Sequence, residues 1–327
     1  MSEFTRLPDL ALRTLGGSVV AANDESFAEK ESLIRPGRPG FQAETFGAKG
    51  QVYDGWETRR RREPGHDWAL VRLGLPGVIR GVVIDTAWFK GNYPPHASVE
   101  AAAVEGYPTP AELQAAEWTE IVPKSDLKGD AEHFFEVADG RRYTHVRLNM
   151  FPDGGIARLR VHGEVRPDLS LRDGLGLDLA ALENGALVTG CSDEFYSSPN
   201  NVIAPGLARH QAEGWETARR RDGGNDWLTI RLAGTGVVRL AEIDTTNLLF
   251  NAPGEVSLTG VDAAGEEFEL LPRTRLQPDT PHRFRIGNPR PATHVRVDIH
   301  PDGGLARVRL HGLLDKDGNP GHRSSGA

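Results

Sequence analysis

The chain contains the same sequence twice, and this duplication constrains the fold more than any other feature. Gly-Trp-Glu-Thr at 55–58 returns at 214–217, and Pro-Asp-Gly-Gly at 152–155 returns at 301–304. Because further matching blocks recur in the same order, each half should fold into a similar unit. A chain of 327 residues is long for one domain and sufficient for two, each with its own core. We predict a first repeat at 15–165, a linker at 166–180, a second repeat at 181–314 and a flexible tail at 315–327.

Within each repeat, apolar residues recur at every second position, which is the pattern of a strand with one buried face. Val146, Leu148 and Met150 alternate with polar residues, and the same alternation resumes after Pro-Asp-Gly-Gly. We therefore predict that a hairpin closes each repeat. The predicted fold class is all-β: a tandem duplicated β-sandwich compatible with a jelly roll, with one short helix inserted near 109–118.

Tryptophans occupy equivalent places in the two repeats: Trp56, Trp68, Trp215 and Trp227. Recurring tryptophans in a duplicated framework more often pack a core than bind a ligand, so we expect these four to be buried. The second repeat is shorter than the first before its Gly-Trp-Glu-Thr block and again after its central strand. Such differences in length belong in loops rather than in the sheet framework.

The composition argues against several classes of partner. The formal net charge is -8 and the pI is about 5.8, whereas binding to nucleic acid needs a basic surface. No run of about eighteen apolar residues occurs, so we expect no membrane partner. The single cysteine, Cys191, fits a reducing compartment, and we expect a cytoplasmic protein. The one basic run, at 59–62, is either an anion site or a solvated, internally paired cluster, since Glu57 and Glu63 flank it.

Two motifs carry a resemblance to a known family. The first is Ile-Asp-Thr-Ala-Trp-Phe-Lys-Gly-Asn-Tyr-Pro at 84–94, and the second is Pro-Asp-Gly-Gly-(Ile/Leu)-Ala-Arg-(Leu/Val)-Arg-(Val/Leu)-His-Gly, present in both repeats. Together with Asp-Gly-Trp-Glu-Thr-Arg-Arg at 54–60, they resemble the allantoicase family over roughly residues 15–314. The resemblance implies galactose-binding-like jelly rolls, assembly into homo-oligomers, and hydrolysis of allantoate to ureidoglycolate and urea in purine degradation.

The substrate that the resemblance implies carries a carboxylate and two ureido groups, so its site needs a cation, hydrogen-bonding partners and an acid-base group. Asp24 and Glu25 are candidate catalytic carboxylates, with Glu25 as a general base, although a structural turn is an equal alternative because Asp193 and Glu194 repeat the pair. Asp193 and Glu194 are candidate substrate ligands. The recurring arginines could hold the carboxylate, and the sequence does not choose among Arg61, Arg158, Arg220 and Arg307.

A difference between the repeats singles out one loop. Lys90 and Tyr93 of the first repeat are replaced by Leu249 and Ala252 in the second. An active centre can survive in one copy while the framework persists in both, so we expect Lys90 to be catalytic and Asn92 to bind a ureido carbonyl. The alternative is that this loop forms a subunit contact or only shapes a turn.

No cofactor is required by these patterns. The histidines are scattered without the spacing of a metal site, so a divalent metal is not supported, and no metal ligand is predicted. The expected partner is the small substrate allantoate, with no nucleic acid or membrane, in a homo-oligomer. A second hypothesis remains open: a non-catalytic tandem β-sandwich that binds a carbohydrate or another small ligand, because such folds serve both purposes.

Overall fold

A computed structural model describes residues 2–168 and 174–315 of the chain. Contacts divide the chain into two compact units, Met1–Arg166 and Pro167–Ala327. Part of the predicted linker, 169–173, lies outside the described residues, as does the predicted tail after Asp315. Within the range predicted as a linker, Leu177–Asp178 forms a strand that pairs with the last strand of the second unit.

The first unit is built almost entirely of strands. They are β1 Ser18–Ala22, β2 Phe46–Gly47, β3 Gly50–Gln51, β4 Trp56–Glu57, β5 Asp67–Asp85, β6 His96–Ala102, β7 Thr119–Asp126, β8 Glu132–Glu136, β9 Arg142–Phe151, β10 Gly155–Ile156 and β11 Arg158–Val165. The helices are α1 Pro110–Gln114 and three 3-10 turns, Glu3–Arg6, Arg13–Leu15 and Lys30–Ile34. The predicted helical insertion therefore exists; Thr109 caps it, and Thr109 and Glu112 exchange the hydrogen bonds of a capping box.

The long strand β5 belongs to both layers of the sandwich. Its first half pairs with β1 and β9, which continue through β6 to β7. Its second half pairs with β8 and β11. The register shifts between Arg72 and Gly77, where the strand passes from one layer to the other. Inward-facing apolar side chains such as Val71, Val146 and Leu159 are fully buried between the layers, as the alternation predicts.

The second unit repeats this plan. Its strands are β12 Leu177–Asp178, β13 Leu187–Cys191, β14 Trp215–Glu216, β15 Asp226–Asp244, β16 Glu255–Val261, β17 Glu267–Arg275, β18 Pro281–Arg285, β19 Pro291–His300, β20 Gly304–Leu305 and β21 Arg307–Leu314, with 3-10 turns Leu182–Asn184, Pro199–Ile203 and Gln211–Glu213. The long strand β15 again pairs in both layers. The all-β, duplicated sandwich predicted from the sequence is confirmed.

The predicted closing hairpin is wrong in both repeats. The two strands exist, but β9 pairs with β5 and β6, whereas β11 pairs with the other half of β5. Between them, β10 pairs with β4, so the chain crosses from one layer to the other. Gly154 has a φ of +145° and packs against the backbone at Pro94, where a side chain would not fit. Alternation of apolar residues shows which face of a strand is buried, but it does not show which strand lies beside it in the sheet.

The tryptophan prediction is half correct. Trp56 and Trp215 are fully buried, and their indole N–H groups donate to the backbone carbonyls of Asp24 and Asp193, at 2.8 Å in each repeat. Trp68 and Trp227 are only half-buried, because they point away from the core on β5 and β15. None of the helices in the described part of the chain is long and apolar enough to cross a membrane.

Candidate active site

Glu57 lies where several motifs of the first repeat meet. Strand β4 places it opposite Gly155 of β10 on one side and opposite Ala28 on the other. The side-chain amide of Asn92 donates to Glu57 Oε1 at 2.7 Å. The Gly-Trp-Glu-Thr block, the Pro-Asp-Gly-Gly turn and the predicted catalytic loop therefore converge at one rim of the sandwich.

The carboxylate of Glu57 is suited to hold a proton. Burial raises its pKa, and the hydrogen bond from Asn92 opposes that rise only in part. Its second oxygen, Oε2, has no hydrogen-bond partner among the described residues. In the second repeat, Asn251 makes the same 2.7 Å bond to Glu216, but Gln211 donates to the other oxygen of Glu216. Only the first repeat leaves one carboxylate oxygen available.

The basic run that follows Glu57 forms the wall of a cleft. The cleft has a volume of about 390 Å³ and is lined by Asn23, Asp24, Arg59, Arg60, Arg61, Arg62, Glu63 and Asp67. Four arginines face three carboxylates, so the cleft has an excess of one positive charge. We call this the arginine cleft. A concave surface with several guanidinium groups suits a small carboxylate ligand.

Asp24 organises the entrance to the arginine cleft. Its side chain accepts hydrogen bonds from the backbone N–H groups of Ser26 and Arg59, both at 3.0 Å, and from the Ser26 hydroxyl. It also pairs with the Arg59 side chain at 3.4 Å. Partial burial opposes ionisation, but these bonds outweigh it and lower the pKa of Asp24. Asp24 is therefore a charged anchor for Arg59, whose side chain is 77% exposed.

Arg61 also lines the cleft, but an ion pair holds its side chain. It donates to Asp67 at 2.6 Å, and Asp67, which is 1% exposed, also accepts from Asn23. Gly65, with a φ of +136°, lies so close to the Arg61 guanidinium that a Cβ there would meet it at 2.7 Å. The loop at 59–66 is thus wrapped around a fixed ion pair.

The other predicted residues of the first repeat lie near this rim with partners of their own. Glu25 is 44% exposed and pairs with Lys30 at 3.2 Å; partial burial opposes ionisation, but the bonds from Lys30 prevail and its pKa is lowered. Lys90 is 72% exposed and lies 4.0 Å from Asp130. Arg158, in contrast, is buried and donates to Asp54 at 2.6 Å, which anchors the loop before β4.

In the second repeat, the counterparts of these candidates have partners of their own. Asp193 accepts the backbone N–H groups of Phe195 and Ala218, as Asp24 accepts those of Ser26 and Arg59. The alanine at 218 supplies no guanidinium. Glu194 is exposed. Arg220 repeats the ion pair of Arg61, with Asp226, and Arg307 donates to backbone carbonyls.

Sequence reasoning missed Glu57, and it left the basic run at 59–62 open between an anion site and a solvated, paired cluster. Glu57 belongs to a block present in both repeats, so comparison of the repeats concealed it. The replacement of Arg59 by Ala218 was a usable signal of the same kind as the replacement of Lys90 by Leu249. Among residues 2–168 and 174–315, no group of three or more His, Cys, Asp or Glu side chains is arranged to hold a metal ion.

Comparison with known proteins adds an independent line of argument. A family profile described as allantoicase repeat matches residues 8–166 and 177–315. A probable allantoicase of Nocardia farcinica is 60% identical over 315 residues, 95% of each chain. The allantoicase of Dictyostelium discoideum is 42% identical over 320 residues, 93% of this chain and 86% of the other. A crystal structure of allantoicase from Saccharomyces cerevisiae has a TM-score of 0.81 at 35% identity, covering 94% of this chain and 93% of the other.

Proposed function

The chain belongs to the allantoicase family, and from this premise we propose that the rim of its first repeat is the centre that hydrolyses allantoate to ureidoglycolate and urea. The reaction breaks the bond between the central carbon and one ureido nitrogen, and that carbon forms a new bond to a water oxygen. One proton of the water is lost and one proton reaches the departing nitrogen. The site must therefore bind a carboxylate, donate a proton and accept a proton.

The observation that carries this proposal is the second oxygen of Glu57, which accepts no hydrogen bond from the described residues, two residues before Arg59, the first arginine of the arginine cleft. A carboxyl group with a raised pKa is protonated more often at neutral pH than an exposed glutamate, and can donate to the departing ureido nitrogen. Asn92 orients it through the 2.7 Å hydrogen bond. Its neighbours Arg59, Arg60 and Arg62 bind the substrate carboxylate.

The remaining candidates take supporting roles in this proposal. Glu25 has a lowered pKa, remains ionised, and accepts the proton of the attacking water. Lys90, which is exposed on the same loop as Asn92, stabilises negative charge on the departing ureido oxygen. Asp24, Arg61 and Arg158 position the cleft and its neighbouring loop through the bonds described above. Asp193 and Glu194 serve the framework of the second repeat.

Release of urea from allantoate by the purified protein tests the function. We expect urea and ureidoglycolate in equal amounts, and a parallel assay after chelation determines whether a divalent ion contributes. Saturable binding of a sugar without release of urea would instead support the non-catalytic β-sandwich.

We further propose that the protein acts in the cytoplasm as a homo-oligomer. The single cysteine supports a reducing compartment, and the family resemblance supports assembly. Light scattering from the purified protein measures the mass of the assembly, and a monomer would contradict this part of the proposal.

A further inference from the structure

The outer face of the first unit carries a second concave surface, distant in the sequence from Glu57. It lies over β5, β6, β7 and β9 and has a volume of about 420 Å³. The residues that line it are His66, Trp68, Ser98, Glu100, Glu120, Arg147, Asn149 and Phe151. We call this surface the outer groove. None of these eight side chains has a role in the proposed hydrolysis.

The second unit shows what the equivalent face accommodates. There the Arg296 guanidinium lies over the ring of Trp227, 4.4 Å from its centroid. Asp298 accepts its N–H groups at 3.0 to 3.1 Å. A planar cation on an indole face, held by a carboxylate, is a favourable arrangement. The second unit thus fills this place with its own arginine.

Two substitutions move the equivalent arginine of the first unit. On β9, Asn149 replaces Asp298 opposite the tryptophan. On β6, Glu100 replaces Thr259 opposite the arginine. Arg147 therefore donates to Glu100 at 2.7 Å and lies over Trp118, 4.7 Å from its centroid. Trp118 belongs to the insertion with helix α1, between β6 and β7, where the second unit has only a short connection.

The displaced arginine leaves the half-buried indole of Trp68 without a stacked guanidinium. Among the described residues, no cation and no aromatic ring packs against the Trp68 indole. Asn149 is 4% exposed and donates to Ser98 and Glu100, yet its side-chain carbonyl oxygen accepts no hydrogen bond from the described residues. The outer groove therefore retains the platform of the second unit without its guanidinium.

The charges of the groove favour a cation. Glu120 lies directly opposite Glu100 on the neighbouring strand, and like charges at opposite positions destabilise a sheet. Arg147 compensates Glu100, but Glu120 has no ion-pair partner among the described residues. The equivalent pair in the second unit is Thr259 and Glu269, which has no such repulsion. A bound cation would therefore pair with Glu120, the carboxylate that Arg147 leaves uncompensated.

We propose that the outer groove binds a small molecule that carries a guanidinium group. The planar group lies on Trp68 in the place that Arg296 occupies over Trp227, and Glu120 accepts its N–H groups. A fork of several donors suits two carboxylates and an amide carbonyl better than a compact ammonium does. This proposal is independent of the proposed hydrolysis, because the two sites share no residue.

Calorimetric titration of the full chain with methylguanidinium tests the proposal. We expect one saturable site per chain and binding of the uncharged isostere methylurea at least about tenfold weaker, because the isostere lacks the charge that faces Glu120. No saturable binding of methylguanidinium, or equal binding of methylurea, would overturn the proposal.

Variants locate the binding. Glu120→Gln should weaken it about fivefold, whereas Glu269→Gln, the matched change in the second unit, should leave it unchanged. The double variant Glu100→Thr with Asn149→Asp gives the first unit the residues of the second. Arg147 should then lie over Trp68, and binding of methylguanidinium should be abolished.

Arg296→Ala removes the guanidinium that lies over Trp227 and should add a second binding site per chain. Binding that survives Glu120→Gln and the double variant unchanged would refute the assignment to this groove.

Two ligands distinguish the sources of a guanidinium group. Agmatine presents it on a free small molecule, and the blocked peptide acetyl-Gly-Arg-Gly-amide presents it on a chain. We expect agmatine to bind more tightly than the peptide. Peptide binding as tight as that of agmatine would assign the outer groove to the side chain of a partner protein and contradict a free small-molecule ligand.

Discussion

The side-chain amide of Asn92 donates to Glu57 at 2.7 Å, and Asn251 donates to Glu216 at the same distance in the other repeat. The pair is therefore part of the duplicated framework. The two glutamates differ at the second oxygen: Gln211 donates to that of Glu216, whereas that of Glu57 accepts no hydrogen bond from the part of the chain that the structure describes. The pair therefore differs between the repeats by one neighbouring donor, and the proposed role of Glu57 rests on that difference.

Removal of Asn92 should shift the pH dependence of the reaction. Its hydrogen bond favours the charged form of Glu57 and so lowers the pKa that burial raises. Asn92→Ala should raise this pKa further. Because a general acid acts only when protonated, the alkaline limb of kcat should move to higher pH. Profiles of kcat against pH check this, with Asn251→Ala as the control; an alkaline limb that stays in place or moves down would contradict the role of Glu57.

Arg59 should contribute to substrate binding more than to the chemical step. Arg59→Ala reproduces the residue at 218 of the second repeat, where Asp193 makes equivalent backbone bonds, so the fold should tolerate it. Loss of a charge-assisted hydrogen bond to the substrate carboxylate should raise KM about tenfold with kcat little changed. Steady-state kinetics measure KM and kcat of this variant, with Arg219→Ala in the second repeat as the control. An unchanged KM would remove Arg59 from the carboxylate site.

The sequence was sufficient for the duplication, the fold class and most strands, because each depends on local patterns. Val146, Leu148 and Met150 identified β9 by alternation, but its pairing with β5 depends on contacts far along the chain, and the hairpin prediction therefore failed. Glu57 was missed for a similar reason. Its pKa depends on burial and on Asn92, and its free oxygen depends on Gln211 having no counterpart in the first repeat. The alternation of residues along one strand contains no information on the pKa of Glu57 or on the partners of its oxygens.

Lys90 can be tested with the substitution that the chain itself contains. Lys90→Leu reproduces Leu249 of the second repeat, and the side chain is 72% exposed with its nearest carboxylate at 4.0 Å, so folding should be unaffected. Loss of charge stabilisation in the transition state should lower kcat about tenfold to a hundredfold.

Glu25→Ala should also lower kcat, because the water loses its proton acceptor. Wild-type kcat in both variants would exclude these residues from the chemistry.

Arg61 should act on stability rather than on substrate binding. Its ion pair with the buried Asp67 leaves an uncompensated charge when one partner is removed. Arg61→Leu should lower the free energy of unfolding by about 2–3 kcal/mol, below the range for a fully buried pair because Arg61 is partly exposed. Urea denaturation measures this loss, with Arg60→Ala as the control. A raised KM without a loss of stability would instead make Arg61 a substrate ligand.

The most direct test of the central claim is the turnover of allantoate by Glu57→Gln compared with Glu216→Gln. Both changes keep the shape of the side chain and can still accept a hydrogen bond from asparagine. Circular dichroism verifies that each variant is folded. If Glu57 donates the proton, Glu57→Gln should lower kcat about a hundredfold or more, while Glu216→Gln should retain the activity of the wild type. A folded Glu57→Gln variant with wild-type kcat would contradict the account.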